Sequence, residues 1–287
     1  MLRASVVVSA INGAGQAVSF VLFFLIARSF GASAATDAFF LALAVPTVIT
    51  APVANAIVSV LVPRMTIVRV RAPHELSTLA GLSLAWVTIV GVGGSLLLVV
   101  SAPVAATIVA GGLGPDETRL FVDYTRIMAP MIAFQLAAAV LSAAMNAVGQ
   151  YYRPALCLIL RHGSAAVILL AFRHTAGGYV LPWALLIGSF VQLVALALSG
   201  HTLPYRTRPI FRIDQNTLGL TSSAGILLIA SILLQATALL ARVFATQFGP
   251  GAVTIFDYGA RITAAFIELL GSGILLVTLV NWSELVA

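Results

Sequence analysis

Eight long apolar stretches dominate this sequence, and they constrain its fold more than any other feature. A helix needs about 20 mostly apolar residues to cross a membrane. The stretches are too long, and alternate too little, to be the strands of a membrane barrel. We therefore expect an all-α polytopic membrane helix bundle with about eight transmembrane helices. The eight spans cover roughly residues 5–27, 38–62, 77–101, 119–146, 155–172, 179–200, 221–247 and 257–280.

The charges exclude several classes of protein. Only 8% of the residues are charged while 61% are hydrophobic, so most of the chain must be solvated by lipid. The net charge of +6 comes from arginines scattered between apolar runs, so nucleic acid is not an expected partner. The single cysteine, Cys157, excludes an internal disulfide and a cysteine-based metal cluster. No catalytic or metal-binding spacing is present, so we expect no enzyme, no metal and no cofactor.

The arginines in the loops predict the orientation of the chain. Basic residues accumulate on the cytoplasmic side of membrane proteins. Here the basic loops follow the even-numbered spans, which places the amino terminus in the cytoplasm. The arginines of these loops are Arg64, Arg69 and Arg71 after span two, Arg153 after span four, and Arg206, Arg208 and Arg212 after span six.

A short motif occurs twice, 218 residues apart, at the end of span one and at the end of span seven. Six spans separate the copies, so both lie on the same side and the repeat is parallel, as in transporters built from two lobes. We expect residues 1–218 to form a six-helix lobe and residues 219–287 the first two helices of a second, incomplete lobe. The chain then reads as the front part of a longer transporter or as half of an oligomer. The copies are Ala27, Phe30, Gly31, Ala34, Thr36 and Phe40, and Ala245, Phe248, Gly249, Ala252, Thr254 and Tyr258.

Ionisable residues inside spans cost about 2.5–3.5 kcal/mol each at the helix centre, so each needs a reason. Asp257, Arg261 and Glu268 fall on one face of span eight, and the acid precedes the arginine by four residues. Arg242, near the end of span seven, faces the same space in this interpretation. The group is either a cationic site for an anionic headgroup, balanced by carboxylates, or a structural salt bridge.

Other residues inside the spans have simpler interpretations. Arg126 and Arg161 lie about two turns inside their helix ends, within reach of snorkelling. Snorkelling is the favoured interpretation for Arg161 and stays open for Arg126. Pro46 and Pro52 in span two, and Pro130 in span four, each remove a backbone hydrogen bond and favour a kink.

Several motifs resemble the MurJ/MviN lipid II flippase family, which belongs to the multidrug/oligosaccharidyl-lipid/polysaccharide exporter superfamily. The most specific one surrounds the first copy of the repeat, and the resemblance runs through essentially the whole chain. The motifs are Ala27-Arg28-Ser29-Phe30-Gly31-Ala32-Ser33 with Thr36-Asp37-Ala38-Phe39-Phe40, then Pro46, Val62-Pro63, Arg126-Ile127-Met128-Ala129-Pro130, Asn146 with Arg153-Pro154-Ala155, Gly249-Pro250-Gly251-Ala252-Val253, and Tyr258-Gly259-Ala260-Arg261.

The resemblance implies two six-helix lobes forming a V, usually followed by two extra helices, in the bacterial cytoplasmic (inner) membrane. It implies flipping of an undecaprenyl-diphosphate-linked cell-wall precursor for peptidoglycan biosynthesis, through a cationic cavity and alternating access. Asp37 and Arg261 match positions that the family treats as functional. Several positions depart from the family pattern, which usually has charged residues there: Gln16, Leu22, Thr50, Asn55 and Ala260.

We therefore expect a flippase for a polyprenyl-diphosphate-linked cell-wall or polysaccharide precursor. Its partners would be a lipid-linked anionic saccharide and membrane lipids. Arg261 is expected to bind a substrate phosphate and Asp37 to make a gating contact, with Arg242, Asp257 and Glu268 lining the cavity. Two alternatives stay open. One is a non-transporting scaffold that binds cell-envelope synthesis proteins, and the other is an ion-coupled drug exporter of the same superfamily.

Overall fold

The structure is a computed structural model that describes residues 2–200 and 221–265 of the chain. Within these residues every regular element is a helix. Short 3₁₀ turns occupy Pro73–Glu75, Gly177–Tyr179 and Thr246–Phe248. The α-helices are α1 (Leu2–Phe30), α2 (Ala34–Arg71), α3 (Leu76–Val109), α4 (Pro115–Met128), α5 (Met131–Ala147), α6 (Tyr152–Phe172), α7 (Val180–Ser199), α8 (Thr221–Ala245) and α9 (residues 252–265).

The predicted polytopic helix bundle is confirmed. In the described part of the chain, 6 helical segments are long and apolar enough to cross a membrane, and a shorter apolar helical segment, Ile232–Phe248, covers the second half of α8 and the 3₁₀ turn after it. The α4–α5 pair forms one of these segments, so six candidate spans precede α8. These segments are Gly13–Phe30, Ala34–Arg71, Pro73–Val109, Pro115–Ala147, Tyr152–Phe172 and Gly177–Ser199.

Proline has different effects in two of the spans. The predicted fourth span is broken into α4 and α5 at Ala129 and Pro130, because Pro130 has no N–H to donate to the preceding turn. By contrast, Pro46 and Pro52 lie within the continuous helix α2. This helix also continues past the predicted end at residue 62 to Arg71, since a change from apolar to polar residues does not interrupt the helical hydrogen bonds.

Helix α2 is the centre of the bundle, where it packs against α4, α5 and α8. Around it, α1 packs on α6, α6 on α7, and α3 on α5. The largest buried side chains are aromatic and include Phe39, Phe40, Phe121 and Tyr124. Lipid is as apolar as these rings, so close packing rather than exclusion from water holds such helices together. The arrangement brings the start of α2 against the start of α9.

Candidate functional site

The two copies of the sequence repeat form two similar corners. Gly31 follows the end of α1 with φ 62°, and its repeat equivalent Gly249 precedes α9 with φ 98°. Both values lie in the left-handed region, which glycine adopts without the steric cost that a side chain would add. The Gly31 N–H donates to the Ala27 carbonyl at 2.9 Å, which closes the last turn of α1. The repeated glycine therefore has a structural cause in both copies.

Equivalent residues of the two corners touch each other. The Oγ1 atoms of Thr36 and Thr254 lie 3.0 Å apart. One turn further along, the rings of Phe40 and Tyr258 meet edge to face with centroids 5.4 Å apart. Residues related by a two-fold rotation can touch their own equivalents only near the rotation axis. These pairs therefore place a local pseudo-two-fold axis between the first turns of α2 and α9.

The N termini of α2 and α9 are capped in different ways. Ser33 caps α2 with its own side chain, in a capping box with Thr36. The equivalent residue at α9 is Gly251, which has no side chain to offer, and an added Cβ there would lie 3.1 Å from the Ala32 carbonyl oxygen. Asp37 of the first corner takes over the cap, because a carboxylate is stabilised by the free N–H groups at a helix N terminus.

The Asp37 carboxylate is buried and accepts three hydrogen bonds at this junction. Oδ2 accepts from the Gly251 N–H at 2.6 Å, and Oδ1 accepts from the Thr254 N–H at 2.7 Å and from the Thr254 hydroxyl at 2.6 Å. These hydrogen bonds join α2 to the helix that carries Asp257 and Arg261. Asp37 therefore connects residues that are more than 210 positions apart, rather than standing beside the arginines.

Arg242, Asp257 and Arg261 form a single ion cluster. Arg242 Nε donates to Asp257 Oδ1 at 2.8 Å, and Arg261 Nε donates to Oδ2 at 2.9 Å. Asp257 is 1% exposed, whereas the side chain of Arg261 is 31% exposed. The Arg261 guanidinium lies over the Phe23 ring, with Cζ 3.3 Å from its centroid, a cation–π contact between α9 and α1. Two guanidinium groups share one carboxylate, so the cluster keeps one net positive charge.

Arg261 lines two cavities, one on each side of α9. The larger cavity has a volume of about 330 Å³ and lies between α1 and α9. The smaller one, about 120 Å³, lies between α2, α8 and α9 and is also lined by Arg242 and Asp257. Besides Arg261, the polar side chains of the larger cavity are Gln16, Ser19 and Tyr258, and its wall on α1 includes Phe20, Phe23 and Phe24. The larger cavity thus offers one cation, neutral hydrogen-bonding groups and an aromatic wall.

The structure brings together three of the five predicted site residues, Arg242, Asp257 and Arg261. Asp37, in the first turn of α2, is hydrogen-bonded instead to the start of α9. Glu268 lies outside the described residues. Sequence reasoning missed Ser19 and Phe23 as cavity residues. In the sequence these two residues stand among the apolar and small residues of α1, which give no sign of a cavity. No local pattern indicates that α1 lies beside α9.

A bundle of membrane-crossing helices with a buried ion cluster beside a cavity defines a polytopic protein of the membrane flippase and transporter class. The family model described as "Lipid II flippase MurJ" matches residues 26–287. The chain belongs to the MurJ family. The predicted family is thereby confirmed on nearly the whole sequence.

A relative in sequence and a solved structure, both lipid II flippases, are similar to this chain. The lipid II flippase MurJ of Burkholderia cenocepacia is 30% identical in an alignment of 183 residues that covers 59% of this chain and 34% of that protein. A solved structure of lipid II flippase MurJ in an inward closed conformation matches with a TM-score of 0.75 at 15% identity, over 90% of this chain and 54% of that one. The chain thus spans about a third of the curated relative and about half of the solved MurJ chain.

Solved transporters of another family share the fold. An outward-facing multidrug resistance MATE family transporter of the MOP superfamily matches with a TM-score of 0.71 and 19% identity, over 92% of this chain and 60% of that one. Its inward-facing conformation matches with a TM-score of 0.68 and 19% identity, over 93% of this chain and 63% of that one. At such low identity these matches establish the fold alone.

Proposed function

We propose that this chain belongs to a flippase that moves a polyprenyl-diphosphate-linked cell-wall or polysaccharide precursor across the cytoplasmic membrane by alternating access. Residues 1–218 supply the six-helix first lobe, and residues 219–287 supply the first two helices of the second. The observation that carries the proposal is the position of Arg261. Its guanidinium is held by Asp257 and Phe23 at the wall of the larger cavity between α1 and α9.

This position suits the recognition of phosphate. Arginine keeps its charge in an apolar site, and its planar fork offers paired hydrogen bonds to phosphate oxygens. Within the described part of the chain Arg261 hydrogen-bonds through Nε, to Asp257, so its terminal nitrogens can bind a ligand. The cluster's net positive charge attracts an anionic headgroup, and Gln16 and Ser19 are available for its neutral hydroxyl and amide groups. The polyprenyl tail needs no pocket because it can stay in the bilayer.

Asp37 is the gating residue in this proposal. Alternating access requires the two lobes to separate on one side of the membrane while they meet on the other. The hydrogen bonds from Gly251 and Thr254 to Asp37 join the lobes at the paired corners, so this side must open by breaking them. With the amino terminus in the cytoplasm, as the loop arginines predict, the paired corners face the periplasm.

Replacing Arg261 with Ala in the complete protein tests the proposal. The variant should insert normally, because the Arg242–Asp257 pair remains, but it should not translocate fluorescently labelled precursor between the leaflets of reconstituted vesicles. Arg119→Ala is the matched control, since Arg119 is exposed near the start of α4 and forms a surface ion pair with Asp116. Normal flipping by Arg261→Ala would overturn the proposal.

A drug exporter is the second candidate, since the solved MATE transporters show that this fold also occurs in multidrug resistance proteins. The aromatic wall of Phe20, Phe23 and Phe24 also suits a flat organic cation. Cells that lack the protein would then become drug-sensitive while their wall synthesis stays unchanged. The flippase predicts the reverse, with precursor accumulating in the inner leaflet and drug sensitivity unchanged.

A further inference from the structure

Helix α6 carries two adjacent basic residues, Arg161 and His162, that the site around Arg261 does not use. Both side chains are partly buried. Arg161 Nε is a buried atom without a hydrogen-bond partner among the described residues, and His162 Nδ1 is a buried atom whose nearest polar group is the backbone of Leu158, one turn back along α6. A buried polar atom left unsatisfied costs about 1–3 kcal/mol, and more for a charged group. The pair therefore needs an explanation beyond packing.

Snorkelling to the membrane surface, the favoured sequence-based interpretation for Arg161, does not explain its buried Nε. The outward face of α6 is formed by exposed apolar residues such as Leu160 and Val167. On another side, α7 packs so closely against the α6 backbone that a Cβ on Gly188 would overlap the Arg161 carbonyl oxygen. The helix thus presents apolar side chains to lipid and holds Arg161 within the bundle.

The basic pair lies on the helix that packs against α1, the helix that forms one wall of the larger cavity, although neither residue is among those that line the cavity. Helices α1 and α6 pack together, and as the first and fifth spans they cross the membrane in the same direction. At Gly15 an added Cβ would lie 3.6 Å from Ile159 and 4.0 Å from Leu158. One turn further along both helices, the same register brings His162 level with Ser19, which lines the cavity. His162 also lies within electrostatic range of both Arg161 and Arg261.

Charge balance indicates what such a pair could bind. The cluster of Arg242, Asp257 and Arg261 has one net positive charge, which matches one negative phosphate group. A diphosphate that links a lipid to a sugar carries two negative charges. A second cation within reach of the same cavity would balance the second charge, and the unsatisfied nitrogens of α6 would gain an acceptor.

We propose that Arg161, with His162 beside it, forms a second anion subsite that binds the second phosphate of a diphosphate-linked headgroup. This inference rests on the proposed function, since Arg261 binds the first phosphate. Arg161 supplies the permanent charge, and the His162 ring donates a hydrogen bond. The two subsites together would select lipid diphosphates over lipid monophosphates.

Two synthetic ligands test the inference with the complete purified protein: N-acetylglucosamine linked to farnesol by a diphosphate or by a single phosphate. Arg161→Gln should weaken binding of the diphosphate ligand about tenfold or more, the effect of losing one charge-assisted hydrogen bond. It should change binding of the monophosphate ligand less than about twofold, well below that effect. Arg161→Lys should restore part of the preference, and Arg119→Gln should leave it unchanged. Thermal unfolding of each variant checks that the fold is intact.

The outcomes separate the inference from the proposed function. Arg261→Gln should weaken binding of both ligands, and if it weakens neither, the proposed function fails. If Arg261→Gln weakens both but Arg161→Gln changes them equally or not at all, the second subsite alone is wrong. Arg161 would then be paired within the protein, with Glu268 as the acid to test. Glu268→Gln would lower thermal stability as much as Arg161→Gln, with no change in ligand preference.

Discussion

Thr36 and Thr254, which are 218 positions apart and equivalent in the sequence repeat, are in contact through their hydroxyl oxygens at 3.0 Å. Equivalent residues of the sequence repeat are therefore also in contact in the structure. The contact lies beside the buried cap that Asp37 provides for α9. Because the proposed function assigns the two residues to different lobes, the distance between them would report whether the paired corners are closed or open.

Cysteines at these two positions should form a disulfide. The hydroxyl oxygens occupy nearly the positions that sulfur atoms would take, and Cys157, the one cysteine of this sequence, can be replaced by Ser. We expect rapid cross-linking of Thr36→Cys/Thr254→Cys in the complete protein under mild oxidation. Transport should stop in the oxidised protein and return on reduction. Thr36→Cys/Thr263→Cys is the control, since Thr263 lies more than two turns further along α9. Full transport by the cross-linked protein would show that the corners do not open.

Asp37→Asn should weaken the junction without changing its size. The two carboxylate oxygens of Asp37 accept three hydrogen bonds, whereas Asn has a single acceptor oxygen. Asn also brings no negative charge to the N terminus of α9. Loss of a capping group costs about 0.5–2 kcal/mol, and we expect a value near the upper end because the carboxylate is buried. Unfolding of the complete protein in detergent measures the loss. The exposed Asp116 gives the control variant Asp116→Asn, and an equal effect of both variants would contradict the assigned role.

The spans could be predicted from the sequence because their signal is local. A membrane helix must satisfy all its backbone hydrogen bonds within itself, so its length and apolarity already define it. The exact ends could not be predicted in the same way. Helix α2 continues to Arg71 because hydropathy marks where lipid ends, not where helical hydrogen bonds end. A missing proline N–H is also a local signal, but it does not decide whether a helix breaks: the fourth span ends at Pro130, whereas Pro46 and Pro52 lie within the continuous helix α2.

In the candidate site, too, the local contacts could be predicted from the sequence and the contacts between distant helices could not. The ion pair of Asp257 and Arg261 follows from their spacing of four residues on one helix. The partner of Asp37 could not be read from the sequence, because its cap is a set of backbone N–H groups exposed by a distant helix. The stacking of Arg261 on Phe23 likewise depends on which face of α1 meets α9. Contacts between helices that are far apart in the sequence depend on the packing of the whole bundle.

The two arginines and Asp257 should behave as one energetic unit. Asp257→Asn leaves two guanidinium groups without their buried acceptor, and breaking a buried ion pair costs about 3–5 kcal/mol. In a double-mutant cycle with Arg242→Gln, we expect a coupling energy of about 1–3 kcal/mol in unfolding measurements. The exposed pair of Arg119 and Asp116, whose charged atoms are 3.7 Å apart, provides the control cycle. Its coupling should be about 0–1 kcal/mol, and a similar value for Asp257 and Arg242 would refute the buried cluster.

Substitutions at two glycines of α3 distinguish the effect of close helix packing on stability from the effect of helix propensity. An added Cβ on Gly91 would lie 2.8 Å from the Cα atom of Ala133 on α5, whereas one on Gly93 would meet nothing within 4 Å among the described residues. Because the neighbour of Gly91 is backbone and cannot turn away, Gly91→Ala should force the helices apart at a cost of about 1–3 kcal/mol. Gly93→Ala adds the same methyl group without a clash, so it should be neutral or stabilising by up to about 1 kcal/mol, the difference in helix propensity. Thermal unfolding of both variants in the same detergent measures the contrast. If Gly91→Ala is as stable as Gly93→Ala, then α3 and α5 do not pack at this distance.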